Sequence, residues 1–377
     1  MNLALSEEQE MLKKSARDFL IEKCPKTLVR EMEKDEKGYS PELWREMAGL
    51  GWMGLVFPEE HGGSGMTFLD LAILLEEMGR ACLVGPFFPT VVLGGLPILE
   101  AGNEVQKKKY LPLIASGQAI FTLALTEAGA QYDAASIQVK AVADKGDYVI
   151  SGTKLFVPDA HVADYILCVA RTGQQSPADK GVTIFIVDAR SQGISNTVLK
   201  TISGEKLCEV VFDRVRVPQE NILGQLNDGW SLMQRALERA AVARCCHLLG
   251  GMQQVLEMTV AYAKERQQFG RAIGSFQVIQ HYSVNMATDI DGTRFSTYQA
   301  AWQLSQGRHG AREVAIAKAW AGEAFARVST LAHQIHGAIG CTIDHDLQFY
   351  TRQGKAAELS FGNGDFHREI IAQQMGL

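Results

Sequence analysis

The chain of 377 residues lacks several features that would assign a functional class at once. Its formal net charge is −6, so it has no basic excess of the kind that binds nucleic acid or an anionic membrane surface. Its seven cysteines are scattered, odd in number and without C-x-x-C spacing, which argues against a metal site of that type and indicates a reducing compartment. We therefore expect no metal and no nucleic-acid partner.

Two further absences concern membranes and export. The longest apolar run, residues 82–99, contains Pro86, Pro89 and Pro97, which would interrupt a membrane-spanning helix repeatedly. This run is better interpreted as a buried connection. The first ten residues contain acids and glutamine where a signal peptide needs a basic start and an apolar run. The sequence therefore predicts a cytoplasmic protein without a membrane span.

The residues that are present change in pattern along the chain. Residues 6–117 have helical spacing, with Ser6 and Gln9 in the positions of a capping box and Pro41 at another helix start. Short β-branched runs separated by turn residues follow in residues 120–218. No helix-length pattern lies between these runs, which predicts a compact antiparallel sheet or barrel.

The last third of the sequence is again helical. Asp228 is a plausible N-cap for a very long helix that continues to Gly270. Further helical stretches are predicted at residues 276–306, 311–337 and 345–375. The predicted fold is α+β but mostly α, with an N-terminal helical domain (residues 1–119), a middle antiparallel β domain (120–227) and a C-terminal four-helix bundle (228–377).

Residues 264–277 combine side chains that suit a planar cofactor rich in phosphate. Arg266 offers a fork of donors for a pyrophosphate, Phe269 offers a flat face, and Gly270 allows a close approach or a positive φ. Gln277 follows at close spacing. The alternative is an ordinary helix end with a solvated arginine and a core phenylalanine.

Two other segments have a functional and a purely structural interpretation. In residues 125–133 (LTEAGAQYD), Thr126 offers a hydroxyl and a backbone N–H to the edge of a heteroaromatic ring, whereas the alternative is a solvated turn. In residues 334–340 (QIHGAIG), Gly337 and Gly340 allow an anion-binding turn, although a helix C-cap explains them equally well.

Taken together and in this order, these segments resemble the acyl-CoA dehydrogenase family over nearly the whole chain. Further landmarks of the resemblance are residues 5–9 (LSEEQ), 58–65 (PEEHGGSG), 106–112 (QKKKYLP), 126–127 (TE) and 152–154 (GTK). The resemblance implies an acyl-CoA substrate, an electron-transferring flavoprotein as partner, and FAD between the β domain and the C-terminal bundle. It also implies a dimer or homotetramer, because part of each FAD site comes from a neighbouring subunit. The residues it implies for FAD are Leu125, Thr126, Phe156, Pro158, Arg266, Phe269, Gln277, Gln334, Gly337 and Ala338.

The catalytic base is the main departure from the family pattern. The family reaction removes an α-proton with a carboxylate while a β-hydride passes to flavin N5. Many members carry this carboxylate in a Glu-Gly-Thr triplet, but the triplet aligns here with residues 361–363 (FGN), and Phe361 accepts no proton. A minority carry the base before an arginine on the first long helix of the bundle, where this chain has Glu238 and Arg239. Glu238 is therefore the expected base and Asp365 the reserve, with an exposed Glu238–Arg235 ion pair as the structural alternative.

Two other departures bear on the flavin and on the substrate. Phe156 and Pro158 stand where many relatives have Trp-Ile-Thr, so a hydroxyl that often meets the flavin edge is missing. Tyr132 adds a ring near the expected acyl-CoA entrance and, with Arg239 and Phe361, is expected to bind substrate. We expect dehydrogenation of a bulky, branched or cyclic acyl-CoA. The alternatives are one subunit of a heteromeric enzyme and a catalytically silent flavin- or CoA-binding homologue.

Overall fold

The computed structural model describes residues 5–173, 177–308 and 310–377. The chain forms two compact units, each assembled from separated segments. The first unit contains Met1–Glu31, Thr67–Leu83 and Ala241–Leu377, and the second contains Met32–Met66 and Val84–Ala240. The domain boundaries expected at residues 119/120 and 227/228 remain a prediction. Residues 1–4, part of the N-terminal segment considered for export, lie outside the described ranges.

Helices make up most of the described chain. The α-helices are α1 Glu7–Lys23, α2 Lys26–Met32, α3 Pro41–Gly49, α4 Phe68–Ala81, α5 Leu96–Ala101, α6 Glu104–Ala115, α7 Trp230–Glu265, α8 Gln277–Ser305, α9 Ala311–His336, α10 Leu347–Leu359 and α11 Gly364–Gln374. Two predicted starts are confirmed, because Ser6 and Gln9 form a capping box at α1 and Pro41 opens α3 after an N-cap serine. These caps satisfy backbone N–H groups that have no partner within the helix.

The second unit contains a mixed sheet of eight strands. The strands are β1 Phe121–Ala124, β2 Lys140–Asp144, β3 Asp147–Pro158, β4 Tyr165–Arg171, β5 Val182–Asp188, β6 Ile194–Leu199, β7 Leu207–Pro218 and β8 Ile222–Leu223. Their order is β6-β7-β3-β2-β4-β5-β8, with β1 beside β4. Most pairs are antiparallel as predicted, but β2 meets β4 in parallel at Lys140 and Arg171, and β1 pairs with β4 in parallel. The β2–β3 hairpin lies between them in sequence and provides the long return that a parallel pair requires.

The first unit packs its helices through glycines and buried ion pairs. A Cβ added at Gly250 on α7 would lie 1.8 Å from the carbonyl oxygen of Glu76 on α4, so these two helices approach too closely for any larger residue. Lys13 of α1 donates to Glu76 at 2.8 Å, and the hydroxyl of Tyr298 on α8 donates to the same carboxylate at 2.6 Å. Glu76 is thereby buried with hydrogen-bond partners from two helices.

Three details of the helical prediction are corrected. The long helix α7 begins at Trp230 rather than directly after Asp228, whose carboxylate instead lies 2.6 Å from the ammonium of Lys180. The same helix ends at Glu265, five residues before Gly270. The stretch predicted as one helix over residues 345–375 is two helices, α10 and α11, so the described C-terminal region has five long helices rather than four.

The interpretation of residues 82–99 as a buried connection is confirmed. Residues Phe88–Gly95 form a short π-helical segment that leads directly into α5, and their side chains are buried. Nowhere in the described ranges does a helix combine the length and apolar character needed to cross a membrane.

Candidate functional site

In the second unit, the loop after β1 is fixed against strand β3 by a buried lysine. Lys154 is fully buried, and its ammonium donates to the carbonyl oxygen of Leu125 at 2.9 Å and lies 2.7 Å from the carboxylate of Glu127. The N–H of Leu155 donates to the carbonyl oxygen of Thr126 at 2.8 Å. Burial lowers the pKa of Lys154, while the carboxylate of Glu127 favours its charged form. These bonds hold Leu125 and Thr126 beside the strand that carries Phe156.

Phe156 lies on an irregular part of β3 with its ring partly exposed. The register between β3 and β7 shifts between Lys154 and Val157, which is typical of a β-bulge, and Phe156 has φ 55°. A positive φ is unfavourable for a bulky residue and is most often maintained at functional positions. The side chain is 49% exposed, and the carbonyl oxygen of Pro158 accepts a bond from the hydroxyl of Thr122. The structure therefore brings four predicted cofactor residues, Leu125, Thr126, Phe156 and Pro158, to one place.

The loop that carries Tyr132 is held at its far end by Arg171. This buried guanidinium donates to the carbonyl oxygens of Ala134 and Ile137, and it also bonds the carbonyl oxygen of Lys180 at 2.7 Å. Tyr132 is half-buried in the same unit as Thr126. A buried arginine with several carbonyl acceptors is well compensated, so the segment after Tyr132 has a defined path.

Glu238 lies on α7 next to two arginines that both bind the carboxylate of a third residue, Glu100. Arg235 and Arg239 both donate to the carboxylate of Glu100 on α5. Burial opposes ionisation of Glu100, but the hydrogen bonds from Arg239 and Arg235 more than offset it and lower the pKa of that carboxyl. Glu238 itself is half-buried. Arg235, the expected partner of Glu238 in the structural alternative, is thus engaged by Glu100.

Sequence reasoning missed Glu100. It lies 135 residues from Arg235 and 139 from Arg239, and it follows a buried apolar connection that has no recognisable site motif. A charged residue directly after such a run is the only signal the sequence offers.

In the first unit, residues 266–277 form a β-hairpin and the start of the next helix. The strands β9 Gln267–Gln268 and β10 Arg271–Ala272 pair across a two-residue turn formed by Phe269 and Gly270. These residues have φ 54° and φ 76°, as the first and second positions of a type I′ turn require. Phe269 is 93% exposed, so the interpretation of this segment as an ordinary helix end with a core phenylalanine is wrong.

Two polar side chains, those of Arg266 and Gln277, lie exposed at the base of this hairpin. The guanidinium of Arg266 and the side-chain amide of Gln277, the first residue of α8, are exposed and make no hydrogen bond within the described part of the chain. The N–H of Ile273 donates to the carbonyl oxygen of Arg266 at 2.8 Å and closes the hairpin. An anionic ligand is the chemistry that such a guanidinium suits.

The turn after α9 lies next to the start of this hairpin. Tyr262, one helical turn before Arg266, stacks on the ring of His336 with centroids 4.6 Å apart. Gly337 follows His336 with φ 63°, and its N–H donates to the carbonyl oxygen of His333. Gln334, Gly337 and Ala338 are all exposed. The structure therefore brings this second predicted cofactor segment to the same end of the first unit as Arg266.

Phe361 and Asp365 lie in and after the break between α10 and α11. Phe361 has φ 56° and is followed by Gly362 with φ 93°. Asn363 then caps α11 by accepting from the N–H of Phe366 at 3.0 Å. The carboxylate of Asp365 lies 3.0 Å from the guanidinium of Arg368, and its side chain is 86% exposed.

The two groups of residues fit the cofactor that the resemblance implies. One group contributes a fixed loop, the half-exposed ring of Phe156 and the hydroxyl of Thr126, which has no hydrogen-bond partner among the described residues. The other group contributes the exposed guanidinium of Arg266, which has no hydrogen-bond partner in the described part of the chain, and the exposed ring of Phe269. The first group suits the planar ring system of a flavin, and the second suits an anionic group such as a pyrophosphate.

Comparisons with known proteins agree with this chemistry. Family models match residues 6–118 (acyl-CoA dehydrogenase, N-terminal domain), 122–215 (middle domain) and 227–376 (C-terminal domain). The probable acyl-CoA dehydrogenase YngJ of Bacillus subtilis (strain 168) is 34% identical over 382 residues and covers 100% of both chains. The caffeyl-CoA reductase-Etf complex subunit CarC of Acetobacterium woodii is 32% identical, covering 97% of this chain and 98% of its own.

A solved structure shows the same relationship in three dimensions. Butyryl-CoA dehydrogenase from Megasphaera elsdenii superposes with a TM-score of 0.93 at 28% identity and covers 100% of each chain. The chain therefore belongs to the acyl-CoA dehydrogenase family, whose members bind FAD, and it is an oxidoreductase that acts on CH–CH donors.

Proposed function

We propose that the chain introduces an α,β double bond into a bulky, branched or cyclic acyl-CoA, with Glu238 as the base that removes the α-proton. FAD, when bound, supplies the acceptor for the hydride that leaves the β-carbon. Loss of one proton and one hydride accounts for both hydrogens and for the electron pair of the new double bond. The observation that carries this proposal is the half-buried position of Glu238 beside two arginines that Glu100 already engages.

Two arginines lie beside the proposed base. A base must be ionised before the reaction and within reach of the proton that it removes. Arg235 and Arg239 lie within one helical turn of Glu238, and both are bound to the carboxylate of Glu100. We also propose that Arg239 contacts the substrate.

The competing positions for a base are less suitable. Phe361 stands where many family members have the glutamate of Glu-Gly-Thr, and its side chain has no proton acceptor. Asp365 is exposed to solvent and paired with Arg368, so it lacks the enclosed position beside a substrate that a general base needs.

FAD is proposed to be held by two sets of residues. Leu125, Thr126, Phe156 and Pro158 would contact the isoalloxazine ring, and Thr126 would orient its edge through its hydroxyl and backbone N–H. The pyrophosphate and adenosine would be held by Arg266, Phe269, Gln277, Gln334, Gly337 and Ala338. The 93% exposure of Phe269 supports a partner at this surface, and we propose that a second copy of the chain in a dimer or homotetramer completes each site.

Two observations support the proposed substrate and partner. Tyr132 and Phe361 add aromatic surface at the proposed acyl-CoA site, which favours a bulky acyl group over a short straight one. The Acetobacterium woodii relative is named for a caffeyl thioester, an aromatic acyl group, and for a complex with Etf. We therefore propose an electron-transferring flavoprotein as the physiological acceptor.

The experiment compares Glu238→Gln with Asp365→Asn in steady-state assays with an artificial electron acceptor and a panel of straight, branched and aromatic acyl-CoAs. Loss of the base should lower the rate of Glu238→Gln at least ~10²-fold, while Asp365→Asn stays near the parent rate. The opposite pattern would assign the base to Asp365.

The flavin absorbance of the same preparations tests the two alternatives. A colourless chain that becomes active only with a partner would favour the heteromeric enzyme, for which the missing hydroxyl at Pro158 and the phenylalanine at 361 are the motivating observations. A flavin-replete protein that no acyl-CoA bleaches would identify a silent homologue.

A further inference from the structure

A buried lysine on α9 holds the break between α10 and α11. Lys318 is 1% exposed, and its ammonium donates to the carbonyl oxygen of Glu358 at 2.7 Å and to that of Gly362 at 2.8 Å. Glu358 lies in the last turn of α10, where carbonyl groups have no partner within the helix. A cation at this end also interacts favourably with the helix dipole. Lys318 therefore ties the end of α10 to the residues that follow it.

A histidine on α11 holds the adjacent carbonyl group. The Nε2 atom of His367 lies 2.9 Å from the carbonyl oxygen of Phe361. Because a carbonyl oxygen only accepts, Nε2 must carry the proton, which leaves the buried Nδ1 atom as an acceptor without a hydrogen-bond partner in the described part of the chain. Residues 361 and 362, called here the 361–362 turn, are thus bound through consecutive carbonyl groups by side chains from two helices.

The 361–362 turn needs such support because its backbone is unfavourable. Phe361 and Gly362 both have positive φ values, 56° and 93°. A non-glycine residue in this region costs roughly 1–2 kcal/mol. A Cβ at Gly362 would lie 2.3 Å from the ring of Phe366 and 2.9 Å from Nε2 of His367, so the turn is also closely packed. Its conformation is fixed by polar contacts and by shape together.

Keeping Lys318 charged in a buried position is energetically unfavourable. Burial lowers its pKa to about 8, the nearby Glu358 favours the charged form, and Arg244 opposes it. A methionine would fill similar space without this penalty. What methionine lacks is the pair of N–H donors that the two carbonyl oxygens accept, so the geometry indicates that the position is adapted to hold the turn.

We propose that Lys318 is a positioning residue for the acyl pocket: by fixing the 361–362 turn, together with His367, it holds the ring of Phe361 in one place and so determines which acyl groups are accepted. This inference rests on the proposed function, because that proposal places Phe361 at the substrate. Lys318 acts through Phe361 and takes no part in proton or hydride transfer.

The test replaces Lys318 by methionine and measures kcat and KM of the flavin-containing enzyme for butyryl-CoA and 3-phenylpropionyl-CoA. We expect the ratio of the two kcat/KM values to change at least ~10-fold, since the wall of the pocket is no longer fixed. The matched control is Val328→Ala, a destabilising change in the same helix at a buried residue. Its ratio should stay within about twofold of the parent, because loss of stability alone does not move selectivity.

A double-mutant cycle with Phe361→Ala tests whether the lysine acts through the ring. In the Phe361→Ala background, Lys318→Met should change the ratio less than ~2-fold, because the group it positions is gone. If Phe361→Ala alters the ratio and Lys318→Met does not, the positioning role is refuted while the pocket assignment stands. If neither variant alters the ratio, both are refuted.

His367 provides a second route if Lys318→Met does not retain flavin. His367→Phe removes the donor to Phe361, whereas Gln in its place keeps an N–H at similar reach. We expect the ratio to change in the first variant and to be restored in the second, and equal ratios in both would overturn the inference. None of these readouts depends on which carboxylate is the base, so a negative result with Glu238→Gln remains separate from this test.

Discussion

Two phenylalanines in this protein adopt the same unfavourable backbone conformation in different surroundings. Phe269 and Phe361 have φ values of 54° and 56°, and each is followed by a glycine with positive φ. At Phe361, a histidine binds its own backbone carbonyl group and a lysine binds that of the following residue, Gly362. At Phe269, the ring is 93% exposed and its aromatic neighbour Phe276 lies 6.0 Å away in an edge contact.

The difference shows what supports each strained turn. The 361–362 turn is supported from within its unit, so its conformation is a property of the folded chain. The turn at Phe269 is imposed by the register of a two-residue hairpin, and packing around its ring contributes little. Strain with an exposed aromatic ring is typical of a surface that a ligand or another chain covers. The first turn therefore suits a pocket wall, and the second suits a contact completed on assembly.

The two glycines that follow these phenylalanines provide the largest expected effect. In Gly362→Ala, the new methyl group would collide with Phe366 and His367, and the alanine would also have to adopt a positive φ. We therefore expect the free energy of unfolding to fall by about 4 kcal/mol. In Gly270→Ala, nothing lies within 4 Å of the new methyl group. Only the cost of a positive φ for alanine remains, so the free energy of unfolding should fall by about 1 kcal/mol.

Thermal midpoints of the two variants, measured with the parent in one series, check this prediction. The fall in the thermal midpoint should be several times larger for Gly362→Ala than for Gly270→Ala. Equal falls would mean that both turns are equally supported by their surroundings, which contradicts the contrast drawn between them.

Acid should weaken the supported turn through His367. Burial, with a smaller contribution from the ammonium of Lys318, lowers the pKa of His367 to about 4, and burial with Arg244 lowers that of His247 to about 3. Both histidines are neutral in the fold and charge near pH 6.5 in the unfolded chain. Their contribution is therefore complete above about pH 6.5 and is lost as the pH falls through the folded values, by about 3 kcal/mol for His367 at pH 4.

Unfolding midpoints between pH 7.5 and 4.5 measure this loss. His367→Gln retains a donor for the carbonyl oxygen of Phe361 but does not titrate, so its midpoint should fall less steeply with acid than that of the parent. Parallel curves would show that His367 does not contribute to the acid sensitivity.

The sequence supports the order of helical and β segments, but it does not reveal this contrast between the turns. Arg266, Phe269 and Gly270 are recognisable as an unusual combination, yet helical periodicity before them predicts a helix end. The hairpin is concealed because a type I′ turn is normally signalled by Asn-Gly or Asp-Gly, and phenylalanine occupies the first position here. The phenylalanine that makes this turn strained is therefore also the reason why the sequence does not predict a hairpin here.

The supporting side chains were equally hidden because they act across long separations in sequence. Lys318 lies 44 residues from Gly362, and Glu100 lies 139 residues from Arg239. A lysine within a helix of mixed composition normally indicates a solvated face, and no local pattern distinguishes a buried one. Glu238 and Phe361 were found from a family resemblance, whereas the residues that surround and position them required the fold.

The smallest expected effect concerns Phe269 and has opposite signs for stability and for binding. In Phe269→Asn, the hairpin gains the Asn-Gly pair that a type I′ turn prefers, so the FAD-free protein should gain up to about 1 kcal/mol in stability. The same change removes the exposed ring, and we expect FAD affinity to fall ~10-fold through lost aromatic contact. Thermal midpoints of the FAD-free protein and a fluorescence titration with FAD measure the two effects, with Phe295→Asn on α8, 52% exposed, as the control that should gain no stability. Higher stability with unchanged FAD affinity would show that Phe269 does not contribute to cofactor binding. A contact between subunits would then be the remaining explanation for its strained backbone and exposed ring.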